Sequence, residues 1–168
     1  MHESSDNQLK LLSFSLADDR YLLPIESICE ILRYTPVTPI PVMPNVIHGV
    51  INLRGYYLPV IDLSRRLAQK KTKIGEKSCI VVAESYEDED VITLGLLVDE
   101  VNHFVDLDAS KISDPPKFGH TVASEFIKGM IQLEKMNYLV LNTEKVLDLK
   151  DLVSLLDQLD SDEKLEYH

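Results

Sequence analysis

Ile47 to Leu67 reads IHGVINLRGYYLPVIDLSRRL, and Ile127 to Leu147, 80 positions later, repeats the pattern without a gap as IKGMIQLEKMNYLVLNTEKVL. In this alignment Ile47 meets Ile127, Gly49 meets Gly129, Ile51 meets Ile131, Leu53 meets Leu133, Val60 meets Val140 and Leu67 meets Leu147, while Asn52 meets another amide, Gln132. Self-similarity of this kind marks a duplicated half-domain. In the first copy two apolar runs, Val46 to Leu53 and Tyr56 to Ile61, flank Arg54 and Gly55. Gly55 can take the positive φ of a tight turn, so the copy reads as a β-hairpin. The second copy keeps the apolar frame and loses the special residues: Arg54 and Gly55 become Glu134 and Lys135, and Pro59 becomes Leu139. The expectation is a scaffold built twice, with a site carried by the first copy.

Working outward, Leu11 to Leu16 alternates apolar and small polar residues, Asp18 to Arg20 forms a polar turn, and Tyr21 to Ile25 resumes the apolar pattern. That is a second hairpin. Ile25, Ile28, Ile31 and Leu32 recur at helical spacing in a short β-branched stretch, which leaves open a helical turn that leads into a strand. Pro36, Pro39, Pro41 and Pro44 make Thr35 to Pro44 a stiff connector that can join a sheet only at its edge. Further strands are expected at Ser78 to Glu84, Val91 to Val98 and Met136 to Asn142, with an acidic loop through the eighties closing the middle hairpin. Ala109 to Pro116 reads as a second connector. From Val146 a stripe of Leu147, Leu149, Leu152, Val153, Leu155, Leu156 and Leu159 predicts a C-terminal helix that ends in the charged tail Asp160 to His168. Short strands and two equivalent halves predict a mainly β chain of two small barrels, because closure hides sheet edges. Each half alone would bury little, so the two are expected to share a core.

The net charge of −11 over 168 residues opposes the basic footprint that nucleic acid and anionic membranes require. No apolar run approaches the roughly 18 residues of a membrane span, and the start, MHESSDNQLK, lacks the layout of a signal peptide, so a cytoplasmic location is expected. Cys29 and Cys79 lie too far apart for a redox pair or a zinc knuckle. Local charge is uneven. Arg65, Arg66, Lys70, Lys71, Lys73 and Lys77 form a basic stretch, followed by Glu84, Glu87, Asp88, Glu89 and Asp90. Both read as solvated loops or as a surface that steers a charged protein partner.

The sequence carries no phosphate-binding glycine loop, no nucleophile elbow and no metalloprotease helix, and its five histidines are scattered, so no enzyme activity, cofactor or metal is expected. One constellation remains. Arg54 follows an apolar strand and precedes a glycine, where its guanidinium can reach a carboxylate or a partner. Glu30, set between Cys29 and Ile31, is its expected partner, because a partly buried carboxylate needs a counter-charge. A second surface follows from the duplication: Leu12, Ile25, Ile28 and Ile31 of one half and Val98 and Val101 of the other could line an interbarrel groove that takes an apolar helix face. A small-molecule sensor using that groove is a distant alternative.

These motifs resemble the CheW-like coupling proteins of bacterial chemotaxis. The resemblance runs from about Leu11 to Leu149. It rests on F-x-L at Phe14 to Leu16, I-x-x-I-x-E-I at Ile25 to Ile31, P-x-x-I-x-G-V-I-N-L-R-G at Pro44 to Gly55, L-P-V-I-D-L at Leu58 to Leu63, G-L-L-V-D-E-V at Gly95 to Val101 and G-M-I at Gly129 to Ile131. It implies two intimately packed five-stranded barrels of the Src homology 3 type with a C-terminal helix. It also implies a CheW-like domain over 8–150, with one subdomain at about 20–85 and the other at about 90–147 plus the strand 9–17, and a tail over 151–168. The implied function is a non-enzymatic cytoplasmic adaptor, associated with receptor arrays at the inner membrane. It would couple methyl-accepting chemoreceptors, bound by their cytoplasmic tips, to the regulatory domain of a CheA-type histidine kinase. Carried over by position, Glu30, Val37, Ile40 and Arg54 fall on the kinase side, and Leu12, Ile25, Ile28, Ile31, Val98 and Val101 in the receptor groove. Pilus-motility arrays and an oligomerising or inhibitory module are the alternatives.

Overall fold

The structure, a computed structural model, describes residues 7–41, 44–87, 90–114 and 124–148. Among these residues ten strands form two five-stranded sheets: β1 (Gln8–Leu16), β2 (Asp19–Pro24), β3 (Ile28–Arg33), β4 (Ile47–Leu53), β5 (Tyr56–Asp62), β6 (Cys79–Glu87), β7 (Asp90–Val98), β8 (Glu100–Asp108), β9 (Ile127–Leu133) and β10 (Met136–Leu141). One sheet runs β3-β6-β7-β5-β4 and the other β8-β1-β2-β10-β9. The two orders are the same path through equivalent strands. Short helices α1 (Leu63–Ala68) and α2 (Thr143–Val146) follow β5 and β10.

Side-chain parity explains why two sheets make one molecule. Successive strand residues face opposite sides, and the inner strands bury both. On β6, Ile80 and Val82 enter the core of the first barrel, while Val81 and Ala83 enter a core shared by both halves. On β1, Leu11 faces the second barrel's core and Leu12 and Phe14 face the shared one. The shared cluster holds 19 buried residues, against six in each barrel's own cluster. Most of the apolar burial therefore lies between the halves, and neither half is equipped to fold alone.

Strand membership departs from the expected subdomain limits. β2 belongs to the second sheet, where it runs parallel to β10, and β7 belongs to the first, parallel to β5. The reason is local: β2 stays with its hairpin partner β1, and β7 with β6. The second barrel is thus assembled from both ends of the described chain and the first from its middle.

The hairpins, the turn at Ile25–Ser27 that leads into β3, and the edge role of the proline-rich connector match expectation. That connector touches the sheet at one bridge, Thr38 to Val50 on edge strand β4. β8 was not legible. A bulge against Ser13 and Phe14 leaves Asn102 out of register and breaks the period-two pattern of Glu100 to Asp108. α2 (Thr143–Val146) closes at Leu147 as the counterpart of the start of α1, and the predicted helix of the leucine stripe from Leu149, with the tail, lies outside the described residues.

The repeat is also visible atom by atom. Asp62 caps α1 and Asn142 caps α2, each side chain accepting the backbone N–H three residues on, from Arg65 and Lys145. Arg66 then ties the halves together. Its Nε donates to the Val146 carbonyl at 2.6 Å, Nη2 donates to those of Lys145 and Asp148 at 3.0 Å, and the guanidinium lies 5.0 Å from the centre of the Phe126 ring.

Candidate docking surfaces

The first surface lies on the β4–β5 hairpin. Leu53 pairs with Tyr56, so the turn has two residues, and both have positive φ: 50° at Arg54 and 90° at Gly55. This is the turn whose twist suits a hairpin. Asn52 Oδ1 accepts from the Gly55 N–H at 3.1 Å, and Arg54 reaches across to pair with Glu30 on β3 as expected. The Arg54 side chain is 64% exposed and that of Glu30 31%, so the pair contributes at most about 1 kcal/mol to stability. It fixes a charged pair beside Tyr56 and Tyr57, both exposed on the same hairpin. Val37 is half-buried against the first barrel's core and Ile40 is half-buried in the connector.

Next to Glu30, the thiol of Cys29 is pushed up to about 11, by desolvation first and then by hydrogen bonding to Glu84. On the bulge residue of β4, His48 Nε2 lies 3.1 Å from the Tyr34 hydroxyl, and burial lowers the imidazole pKa.

The second surface is the rim of the shared core. Ile28 and Ile31 stand opposite Ala83 and Val81 and so occupy the inter-sheet face of edge strand β3. Val101 stands opposite Phe14 on edge strand β8. Ile28 and Val101 pack against the shared core, while Ile25 and Ile31 are each 37% exposed. Leu12 and Val98 are corrections: both are completely buried and cannot line an open groove. Each sits on an inner strand with both faces covered, and their apolar character serves the core. Sequence reasoning missed Phe104. It stands opposite Leu12 on the inter-sheet face of β8 and is 59% exposed, but its strand was hidden by the bulge.

A cleft of about 630 Å³ opens at the seam between the halves, lined by Glu26, Glu84, Tyr86, Lys128 and Glu144 among others. Its lining is mixed, with Pro24 and Leu141 beside the charged residues, and contains none of the six expected groove residues. Among the described residues no cluster of His, Cys, Asp and Glu is arranged to hold a metal, and no helix is long and apolar enough to cross a membrane.

Comparison with known proteins gives a consistent result. A CheW-like domain model matches residues 10–151. The chain is 31% identical to the chemotaxis protein CheW of Klebsiella aerogenes over 143 residues, which covers 85% of this chain and 84% of the relative. It is 32% identical to protein FrzA of Myxococcus xanthus over 119 residues, 71% of each. Among solved structures, the scaffolding protein TtCheW from Thermoanaerobacter tengcongensis superimposes with a TM-score of 0.72 at 30% identity, covering 82% of this chain and 86% of that one.

Proposed function

We propose, from the premise that this chain belongs to the CheW-like family, that it is a cytoplasmic adaptor coupling chemoreceptors to a CheA-type histidine kinase. The observation that carries this reading is the pairing of two chemically unlike surfaces on one core. The hairpin around Arg54, Glu30 and Tyr57 is charged and aromatic; the rim formed by Ile25, Ile28, Ile31, Val101 and Phe104 is apolar. A kinase regulatory domain fits the first and the apolar face of a receptor's helical tip the second. The shared core fixes their relative geometry, so a change of receptor state can bias the kinase without any chemistry in this chain.

Arg54→Ala and Phe104→Glu separate the surfaces, since both side chains are exposed and neither substitution should disturb the core. In titration calorimetry, Arg54→Ala is expected to weaken kinase binding about tenfold, the worth of a desolvated charge pair, and to leave receptor binding within about twofold. Phe104→Glu is expected to do the reverse. Equal losses on both partners, with folding intact, would sink the two-surface reading.

A further inference from the structure

The basic stretch after α1 is left unused by either surface, and the fold fastens it at two points. Thr72 is buried; its N–H donates to Asp62 Oδ2 at 3.0 Å and its hydroxyl to Asp62 Oδ1 at 2.5 Å. Ser78 is buried as well; its Oγ accepts from the Gly75 N–H at 2.8 Å and its carbonyl from the Tyr34 N–H at 3.0 Å. Around these anchors Lys70, Lys71, Lys73, Ile74 and Lys77 are all exposed. Among the described residues Lys70, Lys71 and Lys73 have no carboxylate within ion-pair distance, and Lys77 meets Glu100 only at 3.6 Å. Glu76 is the loop's own acid. The result is a cationic loop held in place and left largely without counter-charge.

Its complement is the cleft of about 630 Å³ at the seam between the halves. Glu26 before β3, Glu84 on β6 and Glu144 on α2 line it, Tyr86 and Leu141 add apolar wall, and Lys128 is the cation among the described residues of its lining. None of the three carboxylates has an ion pair among the described residues. The loop cannot fill the cleft of its own chain. Thr72 is tied to Asp62, which stands opposite Leu97 on β7, itself opposite Ile80 at the start of β6. Glu84 and Tyr86 stand near the far end of that strand. Ser78 to Glu84 spans roughly 20 Å of extended chain, more than a lysine and a glutamate side chain bridge together.

We propose that the loop 70–77 of one copy docks in the seam cleft of a second copy, with Lys70, Lys71 and Lys73 facing Glu26, Glu84 and Glu144, and Ile74 against Tyr86 and Leu141. The two patches differ, so the contact is heterologous: every docked copy keeps one loop or one cleft open, and association continues head to tail. The net charge of −11 disfavours an extended polyanion or an anionic bilayer as the loop's occupant, because either would also face the acidic surface around it. A second copy brings its carboxylates only where the lysines are. Screening over about 8 Å at physiological ionic strength confines the attraction to the patch. Exposed ion pairs are individually weak, which sets a dissociation constant on the order of 100 μM. The contact requires neither of the partners proposed above.

Sedimentation velocity of the full chain from about 10 to about 500 μM tests this, a range that brackets such a constant. In 0.1 M salt the weight-average mass is expected to climb with concentration past that of a dimer. In 1 M salt, where the screening length drops from about 10 Å to about 3 Å, association should weaken at least about fivefold. The variants K70E/K71E/K73E and E26K/E144K, their folds checked by circular dichroism, should each stay monomeric alone. Their equimolar mixture should recover at least about half of the wild-type rise in mass, because the acidic loop of one meets the basic cleft of the other and the unchanged patches still match. K10E/K111E/K135E makes the same change of net charge at exposed lysines elsewhere and should associate within about twofold of the wild type. Four results would overturn the proposal: a monomer at every concentration; a rise in mass unmoved by salt; a mixture no larger than its components; or K10E/K111E/K135E losing association as fully as the loop variant.

Discussion

Residues 47–68 and 127–146 are two versions of one device, a bulged hairpin running into a capped helix, and their differences show where the scaffold ends and presentation begins. The buried frame is the same. Ile47 and Ile127, Ile61 and Leu141, and Leu67 and Leu147 enter the shared core, while Ile51 and Ile131, and Val60 and Val140, enter their own barrels. Both hairpins slip register at the same point, next to Gly49 and Gly129. Solvent-facing positions diverge. Arg54 has a carboxylate partner on a neighbouring strand, whereas its counterpart Glu134 has no ion pair among the described residues. Arg66 grips the carbonyl of Val146, its own counterpart 80 positions on. The duplication is kept where packing demands it and broken at solvent-facing positions and at Arg66, which binds the other half.

The bulge glycines break the equivalence most severely. A Cβ on Gly49, at φ 156°, would collide with the Thr38 carbonyl and the Val37 methyl, so rigid backbone blocks it. On Gly129 it would first meet a movable methyl of Ile112, with the Ser113 carbonyl oxygen at 2.9 Å. Gly49→Ala is expected to cost about 4 kcal/mol and Gly129→Ala about 2, as overpacking with and without backbone strain. Urea denaturation measures both; equal losses would mean that the connectors around Thr38 and Ser113 yield alike.

The helix caps come next. Asp62 is 2% exposed and accepts from Arg65 N, Thr72 N and the Thr72 hydroxyl; Asn142 is half-buried and, among the described residues, accepts from Lys145 N alone. Asp62→Ala strands buried donors and should cost about 3 kcal/mol, and Asn142→Ala about 1. Thermal unfolding read against the wild type checks the ratio. A larger loss at Asn142 would show that α2 matters more to the shared core than α1.

How much of this was readable in advance depended on whether a residue's role left a periodic trace. The hairpin at Arg54 and Gly55 was legible because alternation and turn chemistry agree, and the Glu30–Arg54 pair because a lone carboxylate in an apolar stretch calls for a cation. Val98 was misassigned because a strand covered on both faces reads as an apolar run, which hides which side is open; Leu12 was misassigned because the alternation along β1 marks an apolar face without saying whether that face is covered. Phe104 was missed because the bulge at Asn102 shifts its parity. Arg66 left no signal, since what it binds are backbone carbonyls that every residue possesses.

The smallest expected difference lies in the turns themselves. Arg54 and Gly55 place one non-glycine residue at positive φ, whereas Glu134 and Lys135 place two there, at 50° and 68°, in a turn of the same length. A side chain held in the left-handed region costs about 1 kcal/mol relative to glycine. Lys135→Gly should therefore stabilise the protein by up to about that amount, and Gly55→Lys should destabilise it by as much while leaving the Glu30–Arg54 pair available. If Lys135→Gly stabilises and Gly55→Lys also spares kinase binding, the glycine of the first turn serves backbone geometry alone and Arg54 is the recognition residue. If Gly55→Lys abolishes binding at near-wild-type stability, the partner needs the bare backbone at that turn, and the broken position of the repeat is two residues wide.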